Sequence, residues 1–311
     1  MSALQDEVLR MLERQLKEWS LAARNYEALN LVMTHEVSLG DTTVRVQFNP
    51  ARSVSTAAKV DKESIRLRPC FLCPDHLPSE QLRLSFQNRY LILCNPYPIF
   101  HKHLTIPACE HAPQRIQTRL ADMLELSRLL PDFTLFYNGP RCGASAPDHA
   151  HFQAASWGDM PIDRETDTHT RLLLKGKDAS LYALHLGSRN GFVIRSSSIP
   201  EAVGLFDSLC SWLPVPAEGE EPMMNLFAHA DESGWRLTVL VRRCHRPWQY
   251  AAAEPGRFLS SPGAADLGGV FITVRESDFR RADATMIDNI YQQVCFCAEE
   301  LERQIAEKIG K

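Results

Sequence analysis

The chain has 311 residues, 44% of them hydrophobic and 23% charged, which excludes wholesale disorder and suffices for about two domains. A formal net charge of −4 argues against a general nucleic-acid-binding protein, because such proteins are usually basic. No apolar run approaches the ~18 residues of a membrane span, and charged side chains interrupt the N-terminal residues where a secretion signal would be apolar. We therefore expect a cytoplasmic protein with reduced cysteines, no membrane association and no bound nucleic acid.

Apolar spacing predicts a long helix at the start of the chain and a strand pair after it. A basic stretch follows from Arg45 to Arg68. Alternating apolar runs then predict four strands, with a helix between the second and the third. The predicted ranges are 3–29 for the first helix, 31–48 for the strand pair, 89–94, 104–107, 133–137 and 149–155 for the strands, and 113–130 for the second helix.

The second half of the chain repeats this order. The strand–helix–strand–strand succession of residues 89–155 recurs at 191–243, and Asn88–Ile92 is similar to Asn190–Ile194. A single long helix is predicted over Ala282–Lys308. The sequence therefore predicts an α+β fold with an N-terminal helix at 1–29 and two tandem halves at 30–160 and 180–311.

The strongest chemical feature is the segment His149-Ala150-His151-Phe152-Gln153. On a strand, alternation sends its three polar side chains to one face, which is unusual for a structural strand. The preceding loop, residues 138–145, is rich in glycine and small residues, so its backbone N–H groups can approach an anion closely.

The second feature is Cys70-Phe71-Leu72-Cys73, whose spacing allows two thiolates to hold one zinc ion. Histidines elsewhere could complete a tetrahedral site, and a pair of thiols without metal remains the alternative. The candidates are His76, His101, His103, His111, His149 and His151.

These motifs together resemble the HIT superfamily, in its H-x-H-x-Q transferase branch. That branch includes galactose-1-phosphate uridylyltransferase, diadenosine-tetraphosphate phosphorylase and the GDP-hexose phosphorylases. The resemblance covers residues 45–155 and also includes Asn95-Pro96-Tyr97-Pro98 and His103-Leu104-Thr105-Ile106-Pro107. It implies HIT-like antiparallel sheets with flanking helices, the second half being a degenerate copy.

The resemblance also implies a chemistry. His151 takes the position of the nucleophile that forms a nucleotidyl-histidine intermediate, and Gln153 that of a hydrogen-bond donor to the phosphoryl oxygens. In the zinc-containing members the ligands match Cys70, Cys73, His111 and His149, with His103 a weaker alternative to His111. Because protein fills all four positions, we expect the zinc to be structural.

For substrate binding, the basic stretch, the glycine-rich loop and a basic cluster in the second half supply candidates. They are Asn49, Arg52, Lys59, Asn138, Gly139, Arg141, Gly143, Ser145, Arg243 and His245. The expected reaction is nucleotidyl transfer from a nucleotide sugar or a dinucleoside polyphosphate to phosphate or a sugar phosphate. A homo-oligomer is compatible with this expectation. The alternatives are a HIT-type nucleotide hydrolase and a non-catalytic, zinc-stabilised nucleotide-binding protein.

Overall fold

The computed structural model describes residues 2–49, 63, 68–216 and 221–309. The helices in these ranges are α1 (Ala3–Glu18), α2 (Ser20–Glu27), α3 (Leu120–Leu129), α4 (Ile162–Thr168), α5 (Ile199–Trp212), α6 (Ala264–Leu267), α7 (Glu276–Arg281), α8 (Ala284–Val294) and α9 (Ala298–Ile309). Within the same ranges, no helix is both long and apolar enough to cross a bilayer.

Ten strands form one continuous sheet in the order β3-β4-β5-β7-β6-β11-β12-β10-β9-β8, and all neighbouring pairs in it are antiparallel. A smaller sheet has the order β1-β2-β13, with β13 parallel to β2. The strands are β1 (Met33–Leu39), β2 (Thr42–Phe48), β3 (Arg83–Phe86), β4 (Tyr90–Cys94), β5 (His103–Pro107), β6 (Phe133–Asn138), β7 (His151–Ser156), β8 (Thr170–Lys175), β9 (Ala179–Leu186), β10 (Arg189–Ser196), β11 (Met224–Asp231), β12 (Gly234–Val241) and β13 (Val270–Thr273).

The topology repeats about the centre of the large sheet. Three strands, a helix and two strands (β3–β5, α3, β6, β7) are followed by the same succession (β8–β10, α5, β11, β12), and the last strand of each half pairs with the third. The predicted α+β fold with antiparallel sheets and tandem halves is confirmed. The sequence comparison of Asn88–Ile92 with Asn190–Ile194 was wrong in detail, because the topology makes β10 equivalent to β5 and not to β4.

The two halves meet along β6 and β11, where Leu135–Asn138 pair with residues 225–228. The sheet continues across this seam, so the sheet itself does not mark a domain boundary. The predicted division of the chain into residues 1–29, 30–160 and 180–311 stays a proposal. One face of the sheet packs with α1, α3 and α5 in one large apolar cluster, and the other packs against the smaller sheet and α8.

Two predicted helices are interrupted. The first ends at Glu18, because Trp19 adopts an extended conformation and its buried side chain turns the chain into α2. The last is split between α8 and α9, since Cys295 is extended and bridges to Arg242 at the end of β12. Periodicity did not show either break, because the apolar spacing continues on both sides.

Candidate functional site

The candidate site lies where β6 ends and β7 begins. Gln114 is fully buried between these two points and binds both of them. Its Oε1 accepts from the His151 N–H at 2.7 Å, and its Nε2 donates to the carbonyls of Asn138 at 2.9 Å and His151 at 3.0 Å. The backbones of Asn138 and His151 are therefore held side by side, and their side chains start from fixed positions on neighbouring strands.

The His151 imidazole is buried and held in one tautomer. Its Nδ1 lies 2.8 Å from the carbonyl oxygen of His149, to which only an N–H can donate. Burial lowers the pKa of His151 to about 4. At neutral pH the ring is therefore uncharged, with its proton on Nδ1 and a lone pair on Nε2, which is the state a nucleophile requires.

The Gln153 amide is oriented by His103. The Ile99 N–H donates to Nδ1 of His103 at 3.1 Å, so the proton of a neutral ring lies on Nε2 and is donated to Oε1 of Gln153 at 2.9 Å. Among the described residues, nothing accepts a hydrogen bond from Nε2 of Gln153. The amide N–H₂ of Gln153 is thus left as a donor for a ligand.

The glycine-rich loop is held tightly against the second half of the chain. Gly143 has φ +97°, and a Cβ atom there would lie 2.5 Å from Cα of Gly263, so only glycine fits. The Gly139 N–H donates to the Met224 carbonyl at 3.1 Å. The expectation that Gly139 offers its N–H to an anion is therefore wrong.

A candidate metal centre lies beside this loop. Ligand atoms of Cys70, Cys73, His111 and His149 all lie within 4.8 Å of one another. Sulfur-to-nitrogen distances are 3.3 Å for Cys70–His149, 3.2 Å for Cys73–His111 and 3.6 Å for Cys73–His149, and the two Nδ1 atoms are 3.3 Å apart. A tetrahedral zinc ion with ordinary bond lengths separates sulfur from nitrogen by about 3.6 Å and two nitrogens by about 3.4 Å.

The residues therefore fit a zinc ion, and the tautomer of His149 agrees with this. Its Nε2 donates to the Ala108 carbonyl at 2.8 Å, which leaves the lone pair on Nδ1 facing the two thiols. A backbone acceptor of this kind is the usual outer partner of a metal-binding histidine. His103, the alternative ligand, lies outside the cluster and binds Gln153 instead.

His149 departs from one expectation. We predicted that it shares a strand face with His151 and Gln153, but β7 begins only at His151. The ring of His149 is part of the candidate metal centre, while its backbone carbonyl accepts a hydrogen bond from the ring of His151. This single residue thus connects the candidate metal centre to the candidate nucleophile.

The structure separates the remaining predicted residues. Arg141 and Ser145 lie exposed on the loop, and Asn49 is buried at the end of β2. His245 is close to three arginines. Arg243 pairs with Glu300, and its Cζ lies 4.8 Å from the centre of the Phe296 ring. The role of Arg243 in substrate binding stays a prediction, and Arg52 and Lys59 lie outside the described residues.

Sequence reasoning placed Arg242 in the basic cluster of the second half without giving it a role, and it missed Gln114 and Asn225. All three are buried and hydrogen-bonded around the strand ends. Gln114 and Asn225 are each a single polar residue in an apolar or loop context. Such residues form no motif with their chain neighbours, and no sequence signal distinguishes them from ordinary polar positions.

Several solved structures superpose on this fold. Yeast Ap4A phosphorylase Apa2 in complex with Ap4A matches with a TM-score of 0.59 and 17% identity, covering 92% of this chain and 97% of that one. The same enzyme without a named ligand gives 0.57 and 14%, over 89% and 98%. Its complex with AMP gives 0.55 and 14%, over 92% and 97%.

The chain has the fold of an Ap4A phosphorylase. The similarity in fold spans both halves of the chain. A family model described as a domain of unknown function (DUF4922) matches residues 11–156, which include the candidate metal centre, His151 and Gln153. No curated protein matches the sequence.

Proposed function

We propose that this chain is a nucleotidyltransferase that passes a nucleotidyl group through Nε2 of His151 to phosphate or a sugar phosphate. The observation that carries the proposal is a set of three groups held in one state each. His151 presents a lone pair, and Gln153 presents an amide N–H₂ whose oxygen is bound by His103. Asn138 adds a second amide N–H₂, because its Oδ1 accepts from Asn225 and Ala264.

The chemistry follows from these states. The lone pair on Nε2 attacks the α-phosphorus, and the bond to the bridging oxygen breaks with its electron pair leaving on that oxygen. The Gln153 and Asn138 amides donate to the phosphoryl oxygens as charge develops there. An acceptor oxygen then attacks phosphorus, the P–N bond breaks, and the electron pair returns to Nε2.

While phosphorus is bonded to Nε2, the imidazole carries a positive charge. The His149 carbonyl stabilises that charge through its hydrogen bond with Nδ1. Zinc held by Cys70, Cys73, His111 and His149 would supply structural rigidity here, because it fixes the residue whose carbonyl orients the nucleophile.

Two arginines near His245, Arg141 and Arg246, support a phosphate-bearing leaving group and acceptor. His245 lies near Arg141, Arg242 and Arg246, and Arg246 is fixed by Ser261 at 3.0 Å. Within the described ranges, no carboxylate forms an ion pair with any of these three arginines, although arginines elsewhere in the chain are paired. The Ap4A phosphorylase of the same fold has been solved in complex with Ap4A, in which a chain of phosphates joins two nucleosides.

A donor panel tests the proposal. Ap4A and several nucleotide sugars are incubated with the protein, with and without inorganic phosphate, and the products are identified by mass. Phosphate-dependent release of a nucleotide bearing the added phosphate is expected. Release of nucleoside monophosphate without phosphate would favour a hydrolase instead, and no turnover with any donor would favour the non-catalytic alternative.

Removing the amide of Gln153 should slow the first chemical step. We expect Gln153→Ala to reduce the single-turnover rate of His151 nucleotidylation by roughly 10²–10³-fold, as for loss of one oxyanion donor. Gln153→Glu keeps an oxygen for His103 but lacks the N–H₂ group, so it should be equally slow. A Gln153→Glu variant with wild-type rate would show that the amide donates nothing to the phosphoryl group.

His245 should remain uncharged well into the acidic range. Burial, followed by the nearby Arg246, Arg242 and Arg141, lowers the pKa of His245 to about 4. The unfolded chain protonates His245 near pH 6.5, whereas the folded chain keeps the ring uncharged down to about pH 4. The contribution of this residue to folding stability is therefore complete above pH 6.5 and is lost as the pH falls towards 4. The melting temperature of the wild type should therefore fall more steeply between pH 7 and about 4.5 than that of His245→Asn. Equal slopes would contradict this.

A further inference from the structure

The guanidinium of Arg242 is buried at the seam, 2% exposed, and all its hydrogen bonds go to neutral groups. Its acceptors are the carbonyls of Val294 (3.2 Å), Pro262 (2.9 Å), Cys244 (3.2 Å) and His245 (3.1 Å), and Oδ1 of Asn225 (2.8 Å). No carboxylate in the described part of the chain forms an ion pair with it. Burying such a charge is unfavourable, so a specific use for it is expected.

Asn225 connects this charge to the catalytic half. Its side chain is fully buried, and because Arg242 donates to its oxygen, its N–H₂ group must face the other way. That group donates to Oδ1 of Asn138 and to the carbonyl of Cys142, both at 2.8 Å. The guanidinium thus determines which end of the Asn225 amide meets Asn138.

The orientation of Asn138 is settled in turn. Its Oδ1 accepts a second hydrogen bond from the Ala264 N–H at 2.7 Å. An Asn138 amide turned by half a rotation would place its N–H₂ against two donors. Among the described residues nothing accepts from Nδ2 of Asn138. Gln114 binds the carbonyls of both Asn138 and His151, so the two residues lie side by side at the ends of β6 and β7.

We propose that Arg242 and Asn225, both from the second half of the chain, are positioning residues that hold the Asn138 amide with its N–H₂ towards the phosphoryl group at His151. The proposal rests on the proposed function. Donors aligned in series polarise one another, so the arginine charge also strengthens the last donor. The degenerate half thereby contributes to catalysis without touching the reacting atoms.

The test is Asn225→Asp. The new carboxylate still accepts from Arg242, which protects the fold, but it lacks the N–H₂ group that Asn138 requires. We expect Asn138 to turn and present its oxygen to the phosphoryl group. With saturating donor, taken as the panel member that labels the wild type fastest, nucleotidylation should slow by about 10- to 100-fold, as for loss of a hydrogen bond to a charged group.

A double-mutant cycle separates positioning from loss of structure. Asn138→Ala should slow the reaction by a similar factor, and adding Asn225→Asp to it should cause no further slowing. The matched control is Asn190→Asp on β10, because Asn190 is also a buried asparagine of the second half but donates to the Phe296 carbonyl. If Asn225→Asp is no slower than Asn190→Asp, or if its effect adds fully to that of Asn138→Ala, the proposal is wrong.

A second measurement needs no substrate. The side-chain amide NMR signals of Asn138, assigned by their loss in Asn138→Ala, should shift in Asn225→Asp and stay unchanged in Asn190→Asp. Unchanged signals in Asn225→Asp would overturn the positioning role. If no donor labels even the wild type, the proposed function fails, and these signals still decide the positioning role.

Discussion

Replacing His151 by alanine should abolish covalent labelling of the chain by a donor that is radiolabelled at its α-phosphate. The variant lacks the only atom proposed to bond to phosphorus, so we expect labelling to fall by at least about 10³-fold. The label on the wild type should be lost in acid and survive alkali, as a phosphoramidate does. Autoradiography of the denatured protein measures both.

The control is His229→Ala, because His229 is a half-buried histidine of the same sheet with its Nδ1 near the Phe133 carbonyl. It should label like the wild type. Both variants should keep far-ultraviolet circular dichroism close to that of the wild type. Full transfer activity in His151→Ala, with a donor that the wild type uses, would refute the covalent-histidine mechanism.

Replacing His149 by alanine should strongly destabilise the protein if zinc occupies the candidate centre. The change removes one of four ligands and leaves the two thiols of Cys70 and Cys73 side by side without a cation. We expect the melting temperature to fall by on the order of 10 °C, which corresponds to a few kcal/mol for a chain of this size. A chelator should lower the melting temperature of the wild type and leave that of His149→Ala unchanged.

The matched control is Cys297→Ser, because Cys297 is an exposed thiol outside the cluster. It should keep one equivalent of zinc by elemental analysis and respond to the chelator as the wild type does. Wild-type protein with well under one equivalent, even after zinc supplementation, would rule out the zinc site. The labelling of His151 would then have to be explained without it.

The parts of the candidate site that could be predicted are those with regular spacing. His151 and Gln153 stand two residues apart, and Cys70 and Cys73 belong to a short motif, so each pair is visible in a single window of sequence. His103 shows the limit of such reasoning. The resemblance made it a weaker alternative to His111 as a metal ligand, but its role depends on Ile99 and Gln153, which only the folded chain brings to its two ring nitrogens.

The fold, like the site, was predictable where its pattern is local in the sequence. Strand alternation and helix periodicity report local burial, and they predicted the repeated order of elements. They did not report the interruption at Cys295, because the cause is a bridge to Arg242, far away in the sequence. Asn225 was missed for the same reason, since its partners Asn138 and Cys142 lie on the strand and loop of the other half. Arg242 was visible only as part of a basic cluster, because three of its acceptors are distant in the sequence.

The seam between β6 and β11 sets a limit on what any shortened form of this protein can be. A fragment ending near residue 156, where the family match stops, would contain Cys70, Cys73, His151 and Gln153. It would also present Leu135–Asn138 as an uncovered apolar sheet edge, and such edges promote aggregation. The second half therefore completes the sheet border of the half that carries His151, in addition to any chemistry of its own.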